Sequence, residues 1–271
     1  MTGTSGRATS APTHADSQRV KDREFPWWLL VMLLIIGWMA VQVLTTDRYG
    51  EAWDNIIPGL RTTLFLTFVS FAIAMPLGLA IGMARLSKNR VVNTIAQVYI
   101  EFVRGMPMLV WLFVVAFVLT RDLADLLNVR TRDIDMLYRG AAALSLFYAA
   151  FIAEVFRAGI QSVDTGQVEA ARAVGLGRFQ TQRHIVFPPA LRNALPALGN
   201  DFIALMKDTS LVSVLAVGEI TYEARIYLGS SFRIRESYFI LAVMYVTMTL
   251  VLSLSLQWWE RRLEIPGPTK E

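Results

Sequence analysis

Long apolar runs alternate with short charged blocks along the whole 271-residue chain. This alternation limits the fold more than any other feature. A hydrocarbon core about 30 Å thick takes about 20 apolar residues per helical crossing, and backbone polar groups at that depth must be satisfied inside the segment. Six runs reach or approach that length: Trp27 to Leu44, Leu60 to Ala84, Ile95 to Thr120, Gly140 to Ile160, Pro196 to Val217, and Tyr238 to Trp258. The hydrophobic share of 54% exceeds that of an ordinary soluble domain. The expected fold is an all-α integral membrane protein of about six transmembrane helices.

Two of the runs are interrupted. Glu101, Arg104, Gly105 and Pro107 break the third, and a kink is expected there because proline removes a backbone donor and crowds the preceding turn. Asn200, Asp201, Lys207 and Asp208 interrupt the fifth. Gly78 and Gly82 in the second are spaced for close helix packing.

Charge sets orientation. The net charge of +4 in a soluble protein would suggest nucleic acid. Here the basic residues sit at span ends: Arg19, Lys21 and Arg23 before the first span, Arg85, Lys88 and Arg90 after the second, Arg261 and Arg262 after the last. Arg172, Arg178, Arg183 and Arg192 fall between spans four and five. With six spans all four blocks lie on one side, which the positive-inside rule makes the cytoplasm, so both termini are expected there. Trp27, Trp28, Trp258 and Trp259 suit interfacial anchoring on that side. Residues 1–24 are polar and low in bulky apolar residues, and are expected to be a disordered tail. The run at 25–46 lacks a small-x-small cleavage site and reads as a retained first span.

Several chemistries are excluded. There are no cysteines, hence no disulfides or thiolate metal sites. His14 and His184 are too isolated to suggest a metal centre. No G-x-S-x-G or H-E-x-x-H motif occurs, and no Gly-Lys pair, so a phosphate-cradling loop is missing.

The segment 168–191, VEAARAVGLGRFQTQRHIVFPPAL, carries too many charges for lipid and too much pattern for a slack linker. Glu169 to Val174 reads as a short alanine-rich helix with an acid in its first turn. Gly175 and Gly177 supply the stop, and residues 178–187 read as a second short helix closed by Pro188 and Pro189. Two helices at a glycine corner make a small-faced knob that another protein's groove can approach; the alternative is an amphipathic segment lying on headgroups.

Glu169-Ala170-Ala171, Gly175, Ile185 and Phe187-Pro188 reproduce the spacing of the EAA loop of ATP-binding-cassette importer permeases, with Phe187 where leucine is usual. AEVFRAGIQSVDTGQVEAARAVGLG (153–177), NDFIALMKDTSLVSVLAVGEI (200–220) and EFVRGMPMLV (101–110) are similar to segments of the polar amino-acid branch of that family, Met106 replacing threonine. The resemblance covers about residues 56–260. It implies a five-helix permease core preceded by an extra N-terminal span, a coupling loop at 165–189, and a cytoplasmic tail at 261–271. It implies coupling through Glu169, Ala170, Ala171, Gly175, Ile185 and Pro188 to an ATPase dimer in the cytoplasm of a bacterium. It also implies a second permease subunit, sister or copy, and an extracytoplasmic amino-acid-binding protein. No cofactor is expected on the chain itself; ATP is used by the partner.

Within the membrane, Glu154 either pairs structurally with Arg157, three residues on, or meets a substrate cation. Lys207, Asp208, Thr209 and Ser210 look like a break in span five where Asp208 or Thr209 could cap a following helix and a substrate carboxylate could sit. The alternative is an ion pair holding two permease halves. Glu101 and Arg104 read as structural. The rival functions are an ATP-independent channel or ion-coupled transporter using Glu154 and Asp208, and a membrane scaffold without a substrate.

Overall fold

The computed structural model describes residues 27–262; the expected tail at 1–24 and the end at 263–271 lie outside the described residues. All regular structure among the described residues is helical. The elements are α1 (Trp27–Thr45), α2 (Asp47–Ile56), α3 (Gly59–Arg85), α4 (Arg90–Arg104), α5 (Met108–Phe113), a wide π turn (Val114–Leu119), α6 (Thr120–Leu126) and α7 (Met136–Gln161). Then follow α8 (Thr165–Ala173), α9 (Arg178–Thr181), a second π turn (Gln182–Val186), α10 (Phe187–Asp208), a tight 3-10 segment (Thr209–Leu215), α11 (Ile220–Ser231) and α12 (Ile234–Arg262).

Helices α1, α3, α7 and α12 are each long and apolar enough to cross a bilayer, and α4 with α5–α6 passes the same test only as one pair bent by 110°, a broken span or a re-entrant loop. The bend falls at Gly105 to Pro107, where the broken third run places it. Helix α10 is 22 residues long but carries Arg192, Asn193, Asn200, Asp201, Lys207 and Asp208, so composition alone does not mark it as a span. A total of six requires counting it.

The core forms where small residues let backbones meet. Helices α3 and α7 are the most extensively packed pair. A β-carbon on Gly78 would stand 2.5 Å from Ile152, and one on Gly82 would stand 2.7 Å from the Ala153 carbonyl oxygen. The expected close packing at these two glycines is therefore observed. Trp111 closes the cluster from α5, its indole N–H donating to the Ala143 carbonyl at 2.9 Å.

Arg139 is 6% exposed and has no acidic partner among the described residues. It donates instead to the carbonyls of Ile134, Ala116 and Thr131. Ala116 lies in the first π turn, whose widened path leaves carbonyls in need of donors; the Thr120 hydroxyl serves Val115 in the same way at 2.7 Å. A fork with five N–H groups can hold three such carbonyls at once.

A second apolar cluster joins α2 to α11 and α12 through Tyr49, Ala52, Ile56, Ile220, Tyr227 and Ile240. Helix α2 is absent from the six-run reading because its apolar residues lie on one face of an otherwise charged decapeptide. Arg233, at the α11–α12 corner, pairs with Glu51 of α2 and donates to the Tyr227 hydroxyl at 2.9 Å.

Three local expectations need correction. Pro188 and Pro189 do not close a helix; the helical path runs unbroken from Arg178 through the π turn into α10, and the path widens just before the two residues that have no N–H to donate. Glu169 is the fifth residue of α8, and the acid at that helix start is Asp164, whose carboxylate accepts from the Gly166 N–H at 2.7 Å. Neither Asp208 nor Thr209 caps the 3-10 segment: Asp208 makes no cap bond, and the Thr209 hydroxyl donates backwards to the Met206 carbonyl at 2.7 Å.

Candidate functional site: a two-helix knob and the polar seam above it

Helices α7 and α10 run side by side and present both ends of the 162–186 loop together. Gly159 makes this possible, since a β-carbon there would stand 2.7 Å from the Ala190 carbonyl oxygen. One residue layer away, the Asn193 amide donates to the Ser162 hydroxyl at 2.8 Å.

The loop itself is a formed knob. The Leu176 N–H bonds back to the Ala171 carbonyl at 3.1 Å and the Gly175 N–H to that of Arg172 at 3.0 Å. This is the paired closure of a helix end through a left-handed residue. Gly175 supplies it with φ +87°. The second helix starts at Gly177, whose N–H donates to the Gln180 side chain at 3.0 Å. Ala171 and Thr181 are buried between the two helices. Glu169 and Ala170 face outward, Ile185 is half-buried, and Pro188 is exposed. Val174 and Phe179 are 79% and 74% exposed at the tip. The six loop residues singled out in sequence thus sit on one knob or at its root. Val174 and Phe179 went unremarked; the signal was two bulky apolar residues flanking a glycine corner in a segment too polar for lipid.

Above the knob a polar seam follows α7 and α10. Glu154 and Arg157 form an ion pair at 2.7 Å, with side chains 23% and 29% exposed. Arg157 also donates to Gln161 at 2.5 Å. The pairing with Arg157, one of the two alternatives open for Glu154 in the sequence, is formed in this structure. They line a cavity of about 470 Å³ with Arg104, Ser162 and Asn193. Arg104, at the bend between α4 and α5, lies 5.3 Å above the Phe151 ring.

Asp201 is half-buried, and its Oδ2 is buried without a hydrogen-bond partner among the described residues. A carboxylate in that state is costly unless a partner arrives. In the sequence Asp201 stands out only as an interruption of an apolar run, because nothing local shows that its neighbours leave it a vacant acceptor. Farther along α10, the Tyr148 hydroxyl donates to Asp208 Oδ2 at 2.7 Å. Lys207 is exposed, Thr209 is buried and Ser210 is half-buried. Glu154 and Asp208 therefore have partners within this chain, whereas one oxygen of Asp201 does not.

Similarity to known proteins fits this architecture. Residues 74–265 match the model of a family described as binding-protein-dependent transport system inner membrane component. A probable amino-acid permease protein of Bacillus subtilis, YxeN, is 35% identical over 81% of this chain and 96% of its own length. The glutamine transport system permease protein GlnP of Escherichia coli K12 is 36% identical over 80% of this chain and 98% of its own. A solved structure of an amino acid ABC transporter with histidines superimposes with a TM-score of 0.70 at 36% identity, covering 78% of this chain and 95% of that one. The span α1 lies outside the family match, which begins inside α3. The chain belongs to the family of binding-protein-dependent transport system inner membrane components.

Proposed function

We propose that this chain is the transmembrane permease subunit of an ATP-driven amino-acid importer in a bacterial cytoplasmic membrane. It forms half of the translocation pathway, with both termini on the cytoplasmic side. The observation that carries the reading is the knob: two short helices locked through Gly175, anchored to two long helices and exposing Val174 and Phe179. An exposed apolar tip on a rigid mount suits a protein groove. The named amino-acid and glutamine relatives support the substrate class.

The chain lacks a phosphate-binding loop, so ATP hydrolysis falls to a cytoplasmic ATPase dimer seated on the knob through Glu169, Ala170, Ala171, Gly175, Ile185 and Pro188. A sister permease or a second copy completes the pathway, and an extracytoplasmic amino-acid-binding protein delivers the substrate. The chain itself carries no cofactor.

Inside the pathway Asp201 is the residue that meets the substrate's ammonium. Glu154 is already neutralised by Arg157 and lines the way to the cytoplasm. Lys207, Asp208, Thr209 and Ser210 border the far end of that path, where α10 tightens into the 3-10 segment. The reading is tested by reconstituting the chain with its ATPase, sister permease and binding protein, and measuring amino-acid uptake. ATP-dependent uptake that the Glu169→Lys variant loses supports it. Uptake without ATPase would favour a channel or ion-coupled transporter.

A further inference from the structure

The corner between the 3-10 segment and α11 holds a carboxylate that the proposed pathway does not use. Glu219 is 0% exposed, and no cation pairs with it among the described residues. Its Oε1 caps α11 by accepting the Tyr222 N–H at 2.7 Å. Its Oε2 accepts the Tyr245 hydroxyl of α12 at 3.0 Å. A carboxylate only accepts, so the single hydrogen of that phenol is committed to Glu219. The Thr221 hydroxyl, 3.0 Å from the same phenol oxygen, is then the donor to it. A helix cap needs one oxygen, and serine, threonine or asparagine supplies it without burying a charge. The second oxygen is what a glutamate adds, and it goes to a different helix.

The Glu219–Ile220 peptide is held from a third side. Thr63 of α3 accepts the Ile220 N–H at 3.2 Å, and a β-carbon on Gly59 would stand 2.6 Å from that nitrogen. Val217, just before this corner, belongs to the core around α3 and α7, whereas Ile220 belongs to the cluster of α2, α11 and α12. Glu219 is therefore the polar joint between two packed bodies. Upstream of it Ala216 takes a left-handed backbone at φ +57°, a strained conformation for a residue with a β-carbon.

Helix α11 is pinned at both ends. Glu219 holds the inner end. At the outer end Arg233 reaches the Tyr227 hydroxyl and Glu51. The 12 residues of α11 span about 18 Å, and the helix packs against the 3-10 segment. That segment begins at Thr209, at the far end of the proposed path.

We infer that Glu219 is a positioning residue. It seats α11 on the 3-10 segment, so that α11 acts as a strut between the extracytoplasmic corner and the end of the substrate path. This rests on the importer reading, in which a binding protein docks on that side, and states how its docking is felt inside.

The test uses the complete complex in proteoliposomes. ATP hydrolysis is measured with and without the substrate-loaded binding protein, and the readout is the ratio of the two rates. Glu219→Ala should lower the stimulation several-fold, and by a larger factor than it lowers the basal rate. Tyr245→Phe should lower it too, and should add nothing on top of Glu219→Ala, because both changes break the same link. Glu219→Gln should restore most of the stimulation. Its amide oxygen can keep the cap while its NH2 donates to the Tyr245 oxygen, and the phenol hydrogen then turns to Thr221.

A wild-type ratio in Glu219→Ala would overturn the proposal. So would basal and stimulated rates that fall by one common factor, or a Glu219→Gln variant as impaired as Glu219→Ala. Should Glu219→Ala fail to assemble, a wild-type ratio in Tyr245→Phe would overturn it alone. A wild-type complex that the binding protein does not stimulate would instead remove the importer reading, and the proposal with it.

Discussion

Gly159 of α7 and the Ala190 carbonyl of α10 are in direct backbone contact, at a place where a β-carbon would stand 2.7 Å from the oxygen. The two helices that enter and leave the knob are therefore clamped at its root. If the knob is the proposed ATPase seat, a push on it should move α7 and α10 as one body, and these helices carry the polar seam.

Replacing Gly159 with valine forces that clamp open. Overpacking of this kind costs about 1–3 kcal/mol, so the thermal midpoint of the purified protein should fall. The telling readout is transport stoichiometry: Gly159→Val should move less amino acid per ATP hydrolysed while the ATPase still co-purifies.

Gly175 is different, because nothing lies within 4 Å of where its β-carbon would be and φ is +87°. A substitution there meets strain without a clash, at about 1–2 kcal/mol. Gly175→Val should loosen the knob, weaken ATPase co-purification and abolish transport, with membrane insertion preserved. Gly229 also has open space around its β-carbon position, but without the left-handed backbone. Gly229→Ala should leave both readouts near wild type.

Much of this was legible in the chain. The apolar runs located α1, α3, α7 and α12 because period-independent hydrophobicity over a bilayer's length is a strong signal. Gly105 and Pro107 announced the 110° bend, and Gly175 announced the turn that forms the knob. Pro188 and Pro189 misled, since a widened turn just before them lets the helical path run on through residues that have no N–H to donate. Helix α2 escaped because ten amphipathic residues carry too little apolar weight. Asp201 escaped because a vacant acceptor is a property of the packed neighbours.

Glu154 and Asp201, the two carboxylates of the proposed pathway, should respond unequally. Glu154 has Arg157 at 2.7 Å, whereas one oxygen of Asp201 has no partner among the described residues. Asp201→Asn should raise the KM for uptake more than Glu154→Gln does, with ATPase docking unaffected in either. Initial uptake rates over a range of substrate concentrations check this.

Tyr148 and Asp208 should couple energetically. Removing the hydroxyl leaves a half-buried carboxylate without its 2.7 Å donor, a loss of about 1–3 kcal/mol. Tyr148→Phe should lower thermal stability, and Asp208→Asn in the same background should restore part of it. A double-mutant cycle on thermal unfolding measures the coupling.

The exposed knob is proposed to receive force from a separate ATPase. The most direct measurement is binding-protein-stimulated ATP hydrolysis in proteoliposomes containing the complete complex, with the wild-type chain and with Glu169→Lys. Stimulation is expected with the wild type and should be lost in the variant, at equal amounts of inserted permease. Undiminished stimulation and uptake in Glu169→Lys and Gly175→Val alike, or uptake with the ATPase left out, would contradict it.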